Sequence, residues 1–176
     1  DWDDYSIGSY DIYAQRIIAS GAVQWATDGV PVCTVIDAQC YPKLAPDGSG
    51  GAIVAWSDYR LGNHDIYAQL IHASGAIQWT VDGVPLCTAT DVQAQTQLVP
   101  DGSGGAIVTW RDNRGGNYDI YAQRVSASGS TQWTANGVPL CTETGSQSSH
   151  MIVSDASGGA IVAWDDKRSG RADIYE

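Results

Sequence analysis

Apolar and polar positions in this chain fall into short runs, and the runs recur. Residues 52–56 (Ala-Ile-Val-Ala-Trp) are apolar on both alternating faces, and nearly the same run returns at 106–110 and 160–164. A strand apolar on both faces needs cover on both sides. Ahead of it, 41–45 is a short apolar stretch ending in Pro46-Asp47-Gly48-Ser49-Gly50-Gly51, which is turn chemistry. Behind it, 60–64 predicts a reversal at Gly62, and 65–71 predicts a third strand. That strand places Ile66 and Ala68 on one face and Tyr67, Gln69 and Ile71 on the other. Ala73-Ser74-Gly75 turns the chain again, 76–80 is the expected fourth strand, and 83–88 leads into the next copy.

The period is fixed. Trp2, Trp56, Trp110 and Trp164 stand 54 residues apart, as do Asp11, Asp65, Asp119 and Asp173 before Ile-Tyr, with no insertion or deletion between copies. Such a repeat decides architecture before any other feature. It divides the chain into an incomplete first repeat at 1–38, full repeats at 39–92 and 93–146, and an incomplete last repeat at 147–176. The fold class expected is all-β, with each repeat a four-stranded antiparallel sheet resembling a propeller blade. The period is too long for one coil of a β-helix and somewhat longer than the ~40–50 residues of most blades. An array of separate β-sandwiches is the other arrangement weighed, but a unit of this size is marginal as an independent domain. Sheets stacked face to face, as a propeller or an open array, are preferred.

Composition agrees with strands and tight turns: 20 Gly, no Phe, and acid that is nearly all Asp. A net charge of −11 with nine Lys and Arg argues against nucleic acid as a partner. An anionic membrane surface is disfavoured for the same reason, and no apolar run is long enough to be inserted in a bilayer. The acidity reads as a means of solubility. With neither an initiating Met nor a signal peptide, the chain reads as an excised or mature segment.

The motifs Trp-x-Asp-x-Arg…Asp-Ile-Tyr-Ala-Gln, Gly-x-x-x-Trp and Asp-Gly-x-Gly-Gly-Ala-Ile-Val-x-Trp span essentially the whole chain. They resemble the tandem repeats of large secreted bacterial surface proteins. That resemblance implies a propeller-like fold, an extracellular or cell-surface location and no defined chemistry. A weaker likeness to the Asp-box of sialidase-type propellers stops at Ser20, where that box carries Asp, and no function is taken from it.

Four constellations are candidates for more than packing. Asp58, Arg60 and Asp65 flank one hairpin and recur as Asp112, Arg114, Asp119 and as Asp166, Arg168, Asp173. Carboxylate pairs suit glycoside chemistry, but an active site needs unique residues, so a structural lock is expected, with Arg bridging two carboxylates and backbone carbonyls. Ser6 replaces the Arg in the first copy. Calcium is the middle option for Asp58, Asp65, Asp112 and Asp119, without any EF-hand spacing, and no other cofactor is expected. Trp56, Trp110 and Trp164 end the two-sided strand and are expected in the core. Trp25, Trp79 and Trp133 fall on the expected fourth strand, where they pack between blades or stack on sugar rings.

Cys33, Cys87 and Cys141 share one phase and read as small buried residues. Cys40 is the odd one, and a Cys33–Cys40 disulfide is one pairing among several. His64, His72 and His150 share no phase and make no metal set. The exceptions to the repeat (Cys40, Lys43, His64, Ser6) read as scattered, which argues against an enzyme. The expected function is a non-enzymatic extracellular structural protein whose unfinished terminal blades complete one another head-to-tail, as a filament or a ring. Three repeats are too few to close a propeller, and exact repetition favours the filament. The alternative is a carbohydrate-binding or adhesive cell-surface module, with glycans as partners.

Overall fold

The computed structural model describes residues 10–170 and the backbone of 173–175. Trp2, Ser6 and the side chain of Asp173 lie outside the described residues. The first sheet pairs β1 (Ile12–Ala14) with β2 (Val30–Cys33). The second is a four-stranded antiparallel meander of β3 (Gln39–Pro46), β4 (Ala52–Asp58), β5 (Asp65–Ile71) and β6 (Val84–Cys87). The third repeats it with β7 (Gln93–Pro100), β8 (Ala106–Asp112), β9 (Asp119–Val125) and β10 (Val138–Cys141). The last holds β11 (Gln147–Ser154), β12 (Ala160–Asp166) and β13 (Asp173–Tyr175). The protein is all-β, and each meander has the form of a propeller blade.

Local chemistry sets the turns. Asp47 Oδ1 accepts the backbone N–H groups of Ser49 and Gly51 at 2.7 and 2.8 Å, and Asp101 and Asp155 do the same in their copies. A short acceptor bonding the backbone two residues on is what makes Asp a turn former. The central hairpin is in unbroken register from Ala52↔Ile71 to Asp58↔Asp65.

The fourth strand differs from the expectation. Residues 76–80 form no strand; they fold back as a loop bridged at Ile71↔Ile77, with Gln78 N–H donating to Leu70 O at 2.9 Å. The fourth strand is Val84–Cys87, paired as Ile66↔Cys87 and Ala68↔Val84. Pro85 lacks a backbone donor, and an edge strand is where a sheet tolerates that.

The core lies between sheets, not within any one of them. One cluster joins Ile53, Ala55, Ala68 and Leu86 of the second sheet to Val108, Trp110 and Val125 of the third. Another joins Ile12, Val32 and Cys33 of the first sheet to Val54, Trp56 and Ile71 of the second. Hence β4 is buried along almost its whole length, its odd positions facing one neighbour and its even positions the other. A sandwich with its own core is thereby excluded for these units. The first strands β3, β7 and β11 run closest together as the sheets stack. Each carries a bulge after its second residue, centred on a non-glycine residue with positive φ: Tyr41 (57°), Gln95 (56°) and Ser149 (53°).

Candidate functional site

Two sets of contacts recur wherever one sheet meets the next. The first is built on the Asp–Arg pair at the hairpin. Asp58 is fully buried and accepts from Trp56 Nε1 at 2.8 Å, from Arg60 N at 3.0 Å and from Arg60 Nε at 2.8 Å. Arg60 Nη2 completes a two-point ion pair with it, donates to Asp82 O at 2.8 Å, and reaches Cys33 Sγ of the preceding sheet at 3.2 Å. The guanidinium lies 4.0 Å from the centre of the Tyr67 ring. Asp112, Arg114, Trp110, Cys87 and Tyr121 reproduce the arrangement, and Asp166, Arg168, Trp164 and Cys141 repeat its centre.

Electrostatics hold this node in one protonation state. Burial pushes the thiols of Cys33 and Cys87 up to about 12, so each keeps its proton. Burial works against the charge of Arg60, yet the hydrogen bond and charge of Asp58 outweigh it and raise its pKa. Hydrogen bonds from Arg168 hold Asp166 well below the usual carboxylate range. Cys33 and Cys40 are separate thiols, as are Cys87 and Cys141.

The lock is therefore only in part the one expected from the hairpin spacing: the backbone carbonyl is engaged, the second carboxylate is not. Arg60 grips one carboxylate, and its other contacts are a thiol and a carbonyl. Asp65 accepts instead from Asn63 Nδ2 at 3.0 Å, and its Oδ2 has no partner. Burial raises Asp65 to about 6, with Asn63 and Arg60 opposing and Asp58 adding to the rise. Asp119, bonded to Asn117, is raised in the same way. Asp58 and Asp112 commit both oxygens to Arg, so a calcium ion would have to displace a guanidinium to bind there.

The second set centres on the tryptophans of the loop between third and fourth strands. Gln69 Oε1 accepts from Trp79 N at 2.9 Å while its Nε2 donates to Thr80 O at 2.7 Å, so the Gln of Asp-Ile-Tyr-Ala-Gln fixes the loop that carries Trp79. Gln15 and Gln123 do this for Trp25 and Trp133. Trp25 Nε1 donates to Ala73 O at 3.1 Å, and Trp79 Nε1 to Ala127 O at 2.9 Å, each partner lying 48 residues ahead in the next repeat. The rings lie on Gly75 and Gly129: a Cβ at Gly129 would stand 2.8 Å from Trp79 Cγ, and its φ of +83° also favours glycine. Trp79 is 9 % exposed; Trp133, with no such loop against it, is 37 % exposed. Trp25 and Trp79 thus each lay one ring face on the next repeat. Smaller links repeat beside them, Thr34 N–H to Asp82 and Thr88 N–H to Asn136.

The exceptions to the repeat are less scattered than their sequence positions suggest. Lys43 lines one groove with residues of β7, β8 and β11, Cys40 sits on the same strand as Lys43, and His64 packs edge-on against Tyr59 elsewhere. The groove was missed because single residues were compared with the repeat, when the signal is a run of four positions that differ in every copy. The fold and these contacts define an open stack of blade-like repeats, joined sheet to sheet by the same side chains each time. The chain matches no protein-family model, no curated protein and no solved structure.

Proposed function

We propose that the chain is a non-enzymatic extracellular scaffold whose repeats dock head-to-tail, and that a second copy continues the stack where the forward face of a repeat is uncovered. One observation carries this reading: Trp25 and Trp79 are each capped by the next repeat through the same carbonyl and glycine. The forward contacts use the same residue types at every step, so a unit supplied by another chain meets them as well as one supplied in cis. Head-to-tail contacts that do not close generate filaments, and exact repetition of the contact favours a filament over a ring. The resemblance to repeats of secreted surface proteins supports the extracellular placement.

Sedimentation velocity and electron microscopy of the 176-residue chain test the reading. Species that lengthen with concentration are expected, and Trp133→Ala is expected to shift them toward monomer. A compact monomer at micromolar concentration contradicts it. A carbohydrate-binding surface module is the second reading. It is favoured by the groove along the first strands and not by the buried ring of Trp79.

A further inference from the structure

The longest run of positions at which all three copies differ lies on the first strand. At four consecutive positions of the first strand, 40–43 read Cys-Tyr-Pro-Lys, 94–97 read Ala-Gln-Thr-Gln, and 148–151 read Ser-Ser-His-Met, with an invariant Gln before each run. The position of Arg111 also varies, being Ser57 and Asp165 in the other copies, and Tyr118 stands where His64 does. The stacking of β3, β7 and β11 brings most of these variable residues to a single cavity of about 680 Å3, within the ~300–1,000 Å3 usual for small-molecule sites. A concave lining whose residues differ from copy to copy has the form of a binding surface.

The lining carries polar groups that the protein leaves unused. Thr96 is fully buried and its Oγ1 has no hydrogen-bond partner. His150 is 3 % exposed; its ring lies by the Thr109 backbone carbonyl, but neither nitrogen completes a well-aligned hydrogen bond. Burial lowers its pKa to about 4, the Thr109 backbone opposing and Arg111 reinforcing the shift, so near neutral pH it offers one donor and one acceptor. Arg111 is held flat on Tyr118, 3.8 Å from the ring centre, and donates Nη1 to Gln95 Oε1 at 3.1 Å, yet its buried Nε has no partner. A buried polar atom without a partner is costly, and several in one cavity call for a ligand.

Charge selects the kind of ligand. In a chain of net charge −11, the described lining contains Lys43 and Arg111 and no Asp or Glu. A guanidinium oriented by stacking on Tyr118 suits a carboxylate. Thr96 and His150 suit hydroxyls, which both give and accept hydrogen bonds, and the exposed Tyr41 at the mouth suits the apolar face of a sugar ring. We propose that this groove binds an acidic sugar of the uronic-acid class, its carboxylate on Arg111 and Lys43 and its hydroxyls on Thr96 and His150. The proposal rests on the carbohydrate-binding reading and is independent of head-to-tail docking, which is measured by particle size.

Calorimetric titration of the full chain tests it, with galacturonate, oligogalacturonate, galactose and poly-glutamate as probes. Saturable binding of the acidic sugars is expected; affinity for the monomer identifies a free sugar acid, and affinity for the oligomer alone identifies a polymer. Arg111→Ser and His150→Thr install residues that the same strand positions already carry in neighbouring repeats, so the fold is retained, which melting curves check. Arg111→Ser is expected to weaken binding at least about tenfold and His150→Thr at least about threefold, while Lys167→Asn, on the exposed hairpin outside the groove, leaves it unchanged. Equal binding by Arg111→Ser overturns the assignment. Preference for galactose retains a carbohydrate site and overturns the acidic class, binding of poly-glutamate in place of sugars overturns the carbohydrate reading, and no binding up to about 10 mM overturns both.

Discussion

The second sheet and the last share the central run Ala-Ile-Val-Ala-Trp and set it in different surroundings. Ile53 and Ile161 occupy the same position of the same strand, yet Ile53 is completely buried and Ile161 is 60 % exposed. Leu86 and Leu140, on the fourth strands of the second and third sheets, show the same contrast, one buried and one exposed. The side chains have not changed; what has changed is whether another sheet lies on them. Burial here is a property of the stack, as in other repeat architectures where stability is a sum of unit and nearest-neighbour terms. A single meander could not bury the two faces of its second strand.

The sharpest way to break this comparison is to put the same charge at both sites. Ile53→Asp places an unpaired carboxylate between two sheets and is expected to unfold the second and third sheets together. Ile161→Asp is expected to cost less than about 1 kcal/mol, because its site is open to water. Urea melts of the two variants check this, and equal losses would sink the stacking account.

The node between sheets comes next. Arg114→Ala leaves the buried Asp112 carboxylate without its counter-charge, so a loss of about 3 kcal/mol is expected. The same change at Arg168, which is more exposed and serves a sheet covered on one side, is expected to cost about half as much. Thermal melting of both variants makes the measurement.

Much of this was legible in advance, for reasons that differ from residue to residue. The two-sided strand could be read because Ile53, Val54, Ala55 and Trp56 leave no polar face to point at water. The Asp58–Arg60 pair could be read because its members are two residues apart. Cys33, 27 residues from Arg60, could not, since nothing local says which strand of the preceding sheet will face the hairpin. The fourth strand was misplaced because Ile77 and Trp79 look more strand-like than Val-Pro-Leu-Cys, whose Pro85 is admissible only at an edge. Packing of Trp79 between blades was expected all the same, but only the stack shows which loop of the next repeat it meets. The groove was hidden for the same reason, its residues coming from three different repeats.

A comparable effect distinguishes the tryptophans. Trp79→Ala removes a ring covered by the next repeat and is expected to cost about 3 kcal/mol, whereas Trp133→Ala is expected to cost about 1 kcal/mol in the dilute monomer, read by the same melts. The smallest effect concerns pH. The folded pKa of Asp65 is raised to about 6, above its unfolded value near 3.8. The folded state therefore binds more protons between these values, and stability falls as pH rises through that window. Asp65→Asn keeps the acceptor for Asn63 and is expected to gain about 1–2 kcal/mol above pH 6 while flattening the pH 4–6 slope. The opposite slope at lower pH, from depressed carboxylates such as Asp166, is expected to remain.

Amide hydrogen exchange on the 176-residue chain and on a chain lengthened by one further repeat, both dilute enough to be monomeric, tests the central claim most directly. In the shorter chain the amides of Ala52–Asp58 and Ala106–Asp112 should exchange far more slowly than those of Ala160–Asp166. In the longer chain the protection of Ala160–Asp166 should rise to match them. If it stays where it was, a covering sheet is not what stabilises each unit, and the account fails.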